Sequence, residues 1–378
     1  MYTTYELLIE KLSRQASIKK IPLNGTFELT ARCNFDCRMC YIHKKIDCEI
    51  ADELTADQWI KLATEARDAG MLSLLLTGGE IFLRRDFREI YESVAKMGFK
   101  VTLFSNASLI DSQTAKWLGR LPPTVLEITL YGASAETYGR VNGNADAYDK
   151  VVNAIDMLLA EGINVELKTT IIHENMDDYE AMAEFSYKRG IPFGVVDYLY
   201  PARDASHAAN ACRFTPEKFV EYHKNIFETN KRLSEIYLEG KKLSEPTECG
   251  RKLAQEISSI EPDRERSQSA FSCNAGSSNF WITWDGRMVP CGAMEEPVAY
   301  PLKTGFLNAW HSLNEGCGNI PVCKECRKCK VAEHCTVCPA KLKGETGRYD
   351  QPAEYLCKVA QLFKETFSDK NDDMGKKK

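Results

Sequence analysis

The chain has 378 residues, of which 44% are hydrophobic and 27% are charged, and this apolar content suffices for the core of one large domain or two. Its 49 basic and 54 acidic residues give a net charge of −5, with no long basic stripe before the last few residues, which argues against nucleic acid and against an anionic membrane as partners. No stretch reaches the roughly 20 apolar residues that cross a bilayer, and residues 1–20 lack the order of a secretory signal, so the sequence predicts a cytoplasmic protein.

Six short runs with the composition of β-strands alternate with segments of helical period. They cover residues 27–31, 71–76, 100–104, 125–131, 163–171 and 193–198. Between the first two runs, Thr55 and Gln58 have the spacing of a capping box and predict the start of a helix. Repeated strand–helix units predict an α/β fold with a parallel sheet, and six units favour an open, partial (β/α)6 TIM-like barrel over a closed eightfold one. A flat, doubly wound sheet is the alternative.

Three cysteines, Cys33, Cys37 and Cys40, follow the first run with the spacing C-x3-C-x2-C. Three thiolates can hold three irons of a 4Fe-4S cube, which leaves the fourth iron open to a small molecule. A zinc knuckle or scattered buried thiols are the alternatives, but zinc sites usually pair two C-x2-C hooks.

Distinctive polar residues also follow the second and third runs. Gly78-Gly79-Glu80 comes after the second run, and Ser105-Asn106 follows the third. Loops after the strands of a parallel βα fold form its functional face, so these residues and the cysteines are expected on one rim. Two residues without Cβ would let the backbone approach a ligand, and Glu80 would supply a carboxylate.

The second half of the chain contains a cysteine-dense region. The sequence predicts an N-terminal extension over 1–26, a core domain over 27–240, a connector over 241–270, a cysteine-rich module over 271–367 and a disordered tail over 368–378. The module contains Cys273, an aromatic strand-like run at 280–284, Gly286-x4-Cys291 and a later series of five cysteines. That series is Cys326-x2-Cys329-x5-Cys335-x2-Cys338 and then Cys357. Its C-x2-C pairs favour metal binding over disulfides, and the metal site would be either iron–sulfur clusters or a zinc ribbon.

Residues 33–40 resemble the signature of the radical S-adenosylmethionine (radical SAM) enzymes, in which SAM chelates the open iron. The resemblance implies that Glu80, within Gly78-Gly79-Glu80, binds the amino group of SAM. It further implies that Ser105 and Asn106 read the ribose region and that Arg140 pairs with the SAM carboxylate.

The cysteine-rich module resembles the SPASM domain of radical SAM peptide and protein maturases, so that the two resemblances span residues 27–357. This implies two auxiliary 4Fe-4S clusters. The outer one would be held by Cys326, Cys329, Cys335 and Cys357, and the inner one by Cys273, Cys291 and Cys338. The last hook is one residue shorter than the usual family spacing. The fourth inner ligand stays open between Cys249, Cys317, Cys323 and no cysteine, and Cys48 and Cys212 are interpreted as ordinary thiols.

The resemblance implies reductive cleavage of SAM to methionine and a 5′-deoxyadenosyl radical, which abstracts hydrogen from a substrate. The expected substrate is a ribosomally synthesised peptide that undergoes oxidative modification or cross-linking, and a flavodoxin or ferredoxin is the expected electron donor. Alternatives are dehydrogenation of a small alcohol or amino sugar and sulfatase maturation. The last ranks low because Gly292 stands where those maturases place an Asp base. A zinc-stabilised binding protein without enzymatic activity is the third alternative. No catalytic side chain is assigned.

Overall fold

The computed structural model describes residues 4–42, 53–196, 198–200, 209–237 and 269–367. The tail predicted to be disordered, nearly all of the predicted connector, and Cys48 and Cys249 lie outside the described residues. None of the described helices is long and apolar enough to pass through a membrane.

Eight strands of the described chain form one sheet, in the order β6-β5-β4-β3-β2-β1-β7-β8. The strands are β1 Asn24–Glu28, β2 Ser73–Thr77, β3 Lys100–Ser105, β4 Val125–Thr129, β5 Val165–Thr170, β6 Phe193–Val196, β7 Asn279–Ile282 and β8 Met288–Val289. Strands β1 to β6 pair in parallel and in chain order, and the two ends of the described sheet, β6 and β8, do not pair. The prediction of an α/β fold with a parallel sheet is confirmed. The order of β1 to β6 does not reverse in the middle, as it would in a doubly wound sheet, and this favours the partial barrel.

Helices connect the strands and cover the sheet. They are α1 Thr4–Lys19, α2 Ala56–Asp68, α3 Phe87–Lys96, α4 Ser112–Arg120, α5 Ala135–Asn142, α6 Ala147–Ala160, α7 Tyr179–Arg189, α8 Pro216–Tyr237, α9 Pro301–Thr304, α10 Phe306–Gly318, α11 Lys324–Arg327, α12 Pro339–Thr346 and α13 Glu354–Phe367. Helix α2 begins at the predicted capping box: the Gln58 amide donates to Thr55 Oγ1 (3.3 Å), and the Thr55 amide donates to Gln58 Oε1 (2.9 Å).

The first strand begins three residues before its predicted start, inside the predicted N-terminal extension. The prediction includes residues 29–31 in the strand because Leu29 and Ala31 are apolar, and in the structure both side chains are buried. In the structure they lead from β1 toward the cysteine loop, and their backbone is held by the loop after β2. The Leu29 amide donates to Thr77 O (2.7 Å), and the Gly79 amide donates to Thr30 O (2.8 Å).

The aromatic run in the cysteine-rich module forms β7, as predicted, but its partner was not foreseen. β7 pairs in parallel with β1, and Gly25 lies beside Phe280 in the register. A Cβ at Gly25 would lie 2.5 Å from the Phe280 ring, so the two strands approach closely. Phe280 packs in turn on Phe306 and Trp310 of α10, with ring centroids 5.2 and 6.0 Å away. The module therefore continues the sheet of the core.

Candidate active site

The cysteine loop, residues 33–40, lies between β1 and α2 and is held by main-chain bonds to the end of α5. The Asp36 amide donates to Asn142 O (3.0 Å), and the Arg38 amide donates to Val141 O (3.1 Å). Cys33, Cys37 and Cys40 form no disulfide and are half-buried. The two contacts to α5 hold the loop through its backbone and do not involve the sulfur atoms.

The thiols are desolvated and receive hydrogen bonds from the surrounding chain. The Phe35 amide donates to Cys33 Sγ (3.4 Å), and Asn106 Nδ2 lies 3.8 Å from the same sulfur. The Tyr131 hydroxyl donates to Cys37. Burial raises the pKa of Cys33 to about 12, and burial followed by the charge of Cys40 raises the pKa of Cys37. Cys33 and Cys37 are therefore protonated unless a bound metal displaces the proton.

This donor set fits a three-ligand iron–sulfur cube. Three thiols that form no disulfide come from eight consecutive residues, and N–H groups that point at sulfur are the contacts that tune such clusters. Within the described ranges, no three His, Cys, Asp or Glu side chains converge as the ligands of a single ion would. A cube does not need such convergence, because each thiolate binds a different iron.

Gly78 and Gly79 bring the loop after β2 against the residues that lead into the cysteine loop. A Cβ at Gly78, where φ is +155°, would lie 2.5 Å from Thr30 O, and one at Gly79 would lie within 3 Å of the Arg32 backbone. The two glycines were predicted to admit a ligand. In the structure their close neighbour is protein backbone, so their direct effect is to place Glu80 beside Cys33.

Glu80 is almost completely buried, at 1% exposure, and its carboxylate accepts bonds from three residues. The Phe82 amide donates to Oε1 (3.0 Å), the Asn106 amide donates to Oε2 (2.7 Å), and Ser105 Oγ donates to the carboxylate at 2.9 and 3.0 Å. Burial raises the pKa of Glu80 to about 7, although the hydrogen bonds oppose the shift.

Ser105 and Asn106 link Glu80 to the cysteine loop. Asn106 Nδ2 donates to Asn34 Oδ1 (2.9 Å), and Asn34 Nδ2 donates to Ser108 Oγ (2.8 Å). Asn34 and Ser108 were not singled out from the sequence. The only signal was that Asn34 directly follows Cys33, and a lone Asn in a loop is more often a turn residue.

Arg140 stands apart from this network, on α5. Its side chain is 45% exposed and pairs with Glu136 of the same helix (2.7 Å). It also donates to Thr137 Oγ1 (2.9 Å) and to Glu174 O (3.3 Å). The helix that holds the cysteine loop thus carries Arg140 on its exposed side, and the predicted role in binding a carboxylate stays a prediction.

In the cysteine-rich module, the three cysteines predicted for the inner cluster lie together. Burial, followed by the charges of Cys338, Cys291 and Cys273, raises the pKa of Tyr200, whose hydroxyl donates to Cys338. Cys317, on α10, joins them: burial and then the charges of Cys291 and Cys273 raise its pKa to about 12. These four cysteines are called the inner thiol group. Tyr200, which follows β6, was not identified from the sequence because no local pattern links it to a cysteine.

The four cysteines predicted for the outer cluster also lie together, with Cys323 beside them. Burial and then a hydrogen bond with Cys323, followed by the charges of Cys323, Cys357 and Cys335, raise the pKa of Cys326 to about 12. Cys357 is a neighbour of Cys335, Cys329 and Cys323. The outer thiol group therefore has five members: Cys323, Cys326, Cys329, Cys335 and Cys357.

A buried polar cluster joins the module to the core. Arg213 pairs with Glu345 of α12, and both side chains are mostly buried. The Tyr198 hydroxyl donates to Glu345 Oε1 (2.5 Å), and the Arg213 guanidinium lies 3.8 Å from the centroid of the Tyr355 ring. Arg213 is therefore held from both sides by residues of the module.

Comparisons with known proteins identify the superfamily of the region that contains this site. The model of the radical SAM superfamily matches residues 27–186. Among curated proteins, the chain is 26% identical over 329 residues to the antilisterial bacteriocin subtilosin biosynthesis protein AlbA of Bacillus subtilis (strain 168), covering 83% of this chain and 64% of that protein. It is 24% identical over 286 residues to the sporulation killing factor maturation protein SkfB of the same strain, covering 75% and 63%. The chain thus spans a little under two thirds of the length of these relatives.

Solved structures share the fold. Streptococcus suis SuiB bound to the precursor peptide SuiA superposes with a TM-score of 0.68 at 17% identity, over 94% of this chain and 82% of that one. Native anSMEcpe with bound AdoMet gives a TM-score of 0.65 at 17% identity, over 92% and 96%. The resemblance drawn from the cysteine loop is confirmed: residues 27–186 are a radical SAM domain, and the relatives of the chain include peptide maturation proteins.

Proposed function

We propose that this chain is a radical SAM enzyme that modifies a ribosomally synthesised peptide by hydrogen abstraction, followed by oxidation or cross-linking. The radical SAM family implies a 4Fe-4S cluster and SAM as cofactors. When bound, they supply reductive cleavage of SAM and the 5′-deoxyadenosyl radical. The observation that carries the proposal is the loop with three closely spaced cysteines next to the buried Glu80 network, inside the matched domain.

The residues of the rim would each bind a different part of the cofactors. Cys33, Cys37 and Cys40 would hold the cluster by three irons, which leaves one iron for SAM. Glu80 would receive the amino group of SAM, because its carboxylate is buried and fixed in direction by Ser105 and by the Asn106 amide. A carboxylate held in this way does not need to reorganise when a cation arrives.

The remaining cofactor contacts are proposed from the resemblance and agree with the placement of the residues. Ser105 and Asn106 would lie along the ribose, Gly78 and Gly79 would keep the two loops in contact, and Arg140 would turn from Glu136 to the SAM carboxylate. Exchange of one carboxylate partner for another costs little at a half-exposed site.

The names of the relatives support a peptide substrate. AlbA is named for subtilosin biosynthesis and SkfB for maturation of the sporulation killing factor, and SuiB has been solved with a precursor peptide. Sulfatase maturation fits less well. A Cβ at Gly292 would lie 2.9 Å from the Trp281 ring, so an Asp base at this position would require the indole to move.

We further propose that the cysteine-rich module holds two auxiliary 4Fe-4S clusters, the inner one by Cys273, Cys291 and Cys338 and the outer one by Cys326, Cys329, Cys335 and Cys357. The grouping of these thiols supports both assignments. A nearby electron acceptor suits an oxidative modification, since the substrate radical must lose a second electron. A flavodoxin or ferredoxin would supply the first electron, in the cytoplasm.

Anaerobic purification with iron and sulfide counting tests the proposal. We expect about twelve irons per chain, equivalent to three 4Fe-4S clusters, and 5′-deoxyadenosine formation with dithionite and SAM. Replacing Cys33, Cys37 and Cys40 together by Ala should leave about eight irons and stop 5′-deoxyadenosine formation. A colourless protein that contains one or two zinc ions, or a triple variant that reacts at the wild-type rate, would overturn the proposal.

The substrate is tested separately. A short peptide encoded beside the gene and containing Cys, Trp, Lys or Tyr should lose two hydrogen atoms on incubation with the reduced enzyme and SAM, as seen by mass spectrometry. The triple cysteine variant is the control. A small alcohol or amino sugar that is oxidised while such peptides stay unchanged would favour the dehydrogenase instead.

A further inference from the structure

Helix α10 places Cys317 directly against the turn that follows Cys273. Cys317 is 6% exposed, and a Cβ built at Gly276, where φ is +69°, would lie within 3 Å of its Sγ and Cβ atoms. Asn314 Nδ2, one turn earlier on α10, donates to Gly276 O (2.5 Å). Helix α10 and the turn are therefore joined at two points, and glycine is the residue that leaves room for the sulfur.

The neighbours of the Cys317 thiol belong to the inner thiol group. Cys291 and Cys273 both act electrostatically on it. Tyr200 contacts Cys338 and has Cys291 and Cys273 as further neighbours, which places Cys338 in the same group. Cys323, in contrast, has Cys326 and Cys357 as neighbours and also approaches Glu325 (3.7 Å). The structure thus places Cys317 in the inner thiol group and Cys323 in the outer one, a difference that the spacing of the cysteines in the sequence does not show.

We propose that Cys317 is the fourth protein ligand of the inner auxiliary cluster. The inference rests on that part of the proposed function in which the module holds iron–sulfur clusters. With four thiolates, every iron of a cube has a protein ligand, whereas the cysteine loop supplies only three. The inner site is then closed to substrate, and the peptide cannot be anchored there through an iron atom.

The test uses the full chain in which Cys33, Cys37 and Cys40 are replaced by Ala, so that only auxiliary iron is counted. In this parent, Cys317→Ala is compared with Cys212→Ala. Cys212 is a matched control because it is also a buried thiol, at 8% exposure, and packs in a different cluster with Met39. The readouts are iron content, the electron paramagnetic resonance (EPR) spectrum of the reduced clusters, and the change in that spectrum on addition of cyanide.

We expect Cys317→Ala to lose between one and four irons, or to keep its iron and acquire a cyanide-sensitive spectrum that the parent lacks. Cys212→Ala should match the parent in all three measurements. Cys317→Ser, which keeps the volume of the side chain, decides the result if circular dichroism shows that the Ala variant is unfolded.

An unchanged iron count and spectrum in a folded Cys317 variant would overturn the assignment, and so would a parent whose spectrum already responds to cyanide. Absence of auxiliary iron from the parent would instead reject the auxiliary clusters of the proposed function. SAM cleavage by the wild-type chain is a separate measurement, and it does not depend on any of these outcomes.

Discussion

The cysteine loop and the cysteine-rich module both bring together cysteines that form no disulfide, but they do so by different means. The loop takes three thiols from eight consecutive residues and fixes them by main-chain bonds to α5. The four cysteines of the inner thiol group come from the turn before β7, the segment after β8, helix α10 and the start of α12. A site built within one segment depends on local spacing, whereas a site built from several depends on the tertiary fold.

The surroundings of the two regions differ as well. Behind the loop lies a polar network with a buried carboxylate, Glu80, whose hydroxyl and amide partners are all within 3.0 Å. The inner thiol group lies beside Tyr200 and the apolar residues of α10. A network of this kind suits a polar, cationic small molecule, whereas aromatic and apolar surroundings suit electron transfer.

The largest effect is expected at Glu80, the buried carboxylate next to the cysteine loop. Glu80→Ala removes the proposed contact with SAM and leaves buried donors of Phe82, Ser105 and Asn106 without their acceptor. A combined loss of about 4 kcal/mol in the stabilisation of the transition state corresponds to a rate of 5′-deoxyadenosine formation that is about 1,000-fold lower. The hydrogen-bond partners of this carboxylate all belong to the core, so about eight auxiliary irons should stay bound.

Glu92→Ala is the control for that variant, because Glu92 bonds to Arg88 and Trp117 on the outer helices and should leave the rate unchanged. A rate for Glu80→Ala within a few-fold of wild type would show that the network is structural and would remove the distinction between the two regions.

The next effect concerns the junction between the regions. Glu345→Gln leaves the buried Arg213 without its charge partner, and breaking a buried pair from one side costs about 3 kcal/mol in the free energy of unfolding. Chemical denaturation measures this loss. The double variant Arg213→Met/Glu345→Leu, which removes both charges, should recover most of the stability. Equal stability of Glu345→Gln and wild type would mean that this ion pair does not hold the module, which also contacts the core through the β1–β7 pairing and the packing of α13 on α8.

The sequence predicted the parallel sheet of six strand–helix units and the placement of the cysteine loop on its rim, because these depend on strand alternation and on residues close together in the chain. It placed β1 three residues too far along the chain, because the apolar Leu29 and Ala31 resemble strand residues. It did not separate Cys317 from Cys323, which are six positions apart, since their difference depends on where α10 ends and on a glycine 41 residues earlier. It also missed the β1–β7 pairing, which joins residues about 255 positions apart.

A smaller effect is expected at Gly79. Gly79→Ala would push a Cβ into the Arg32 backbone, and since both partners are main chain, the cysteine loop must shift. Overpacking of this kind costs about 2 kcal/mol in the free energy of unfolding and should lower the iron content of the loop. Gly318→Ala is the matched control, because nothing lies within 4 Å of a Cβ there. If both variants bind iron as wild type does, the contact between the two loops is not what positions the thiols.

The smallest effect is expected at Arg140, and it tests whether α5 does more than hold the cysteine loop. Arg140→Ala should raise the dissociation constant of SAM about tenfold, equivalent to about 1.4 kcal/mol, if the guanidinium leaves Glu136 to pair with the SAM carboxylate. The free energy of unfolding should change by only about 0.5 kcal/mol, because the helical pair is exposed.

Glu136→Ala separates the two roles of Arg140. It removes the same helical pair but leaves the guanidinium available, so the affinity for SAM, measured by calorimetry on the reconstituted enzyme, should be equal to that of wild type or higher. If Arg140→Ala and Glu136→Ala bind SAM alike, the arginine is a surface charge of α5. The polar region that binds the cofactor would then end at Asn106, and the carboxylate of SAM would have to be bound by the open iron and by main-chain groups of the rim.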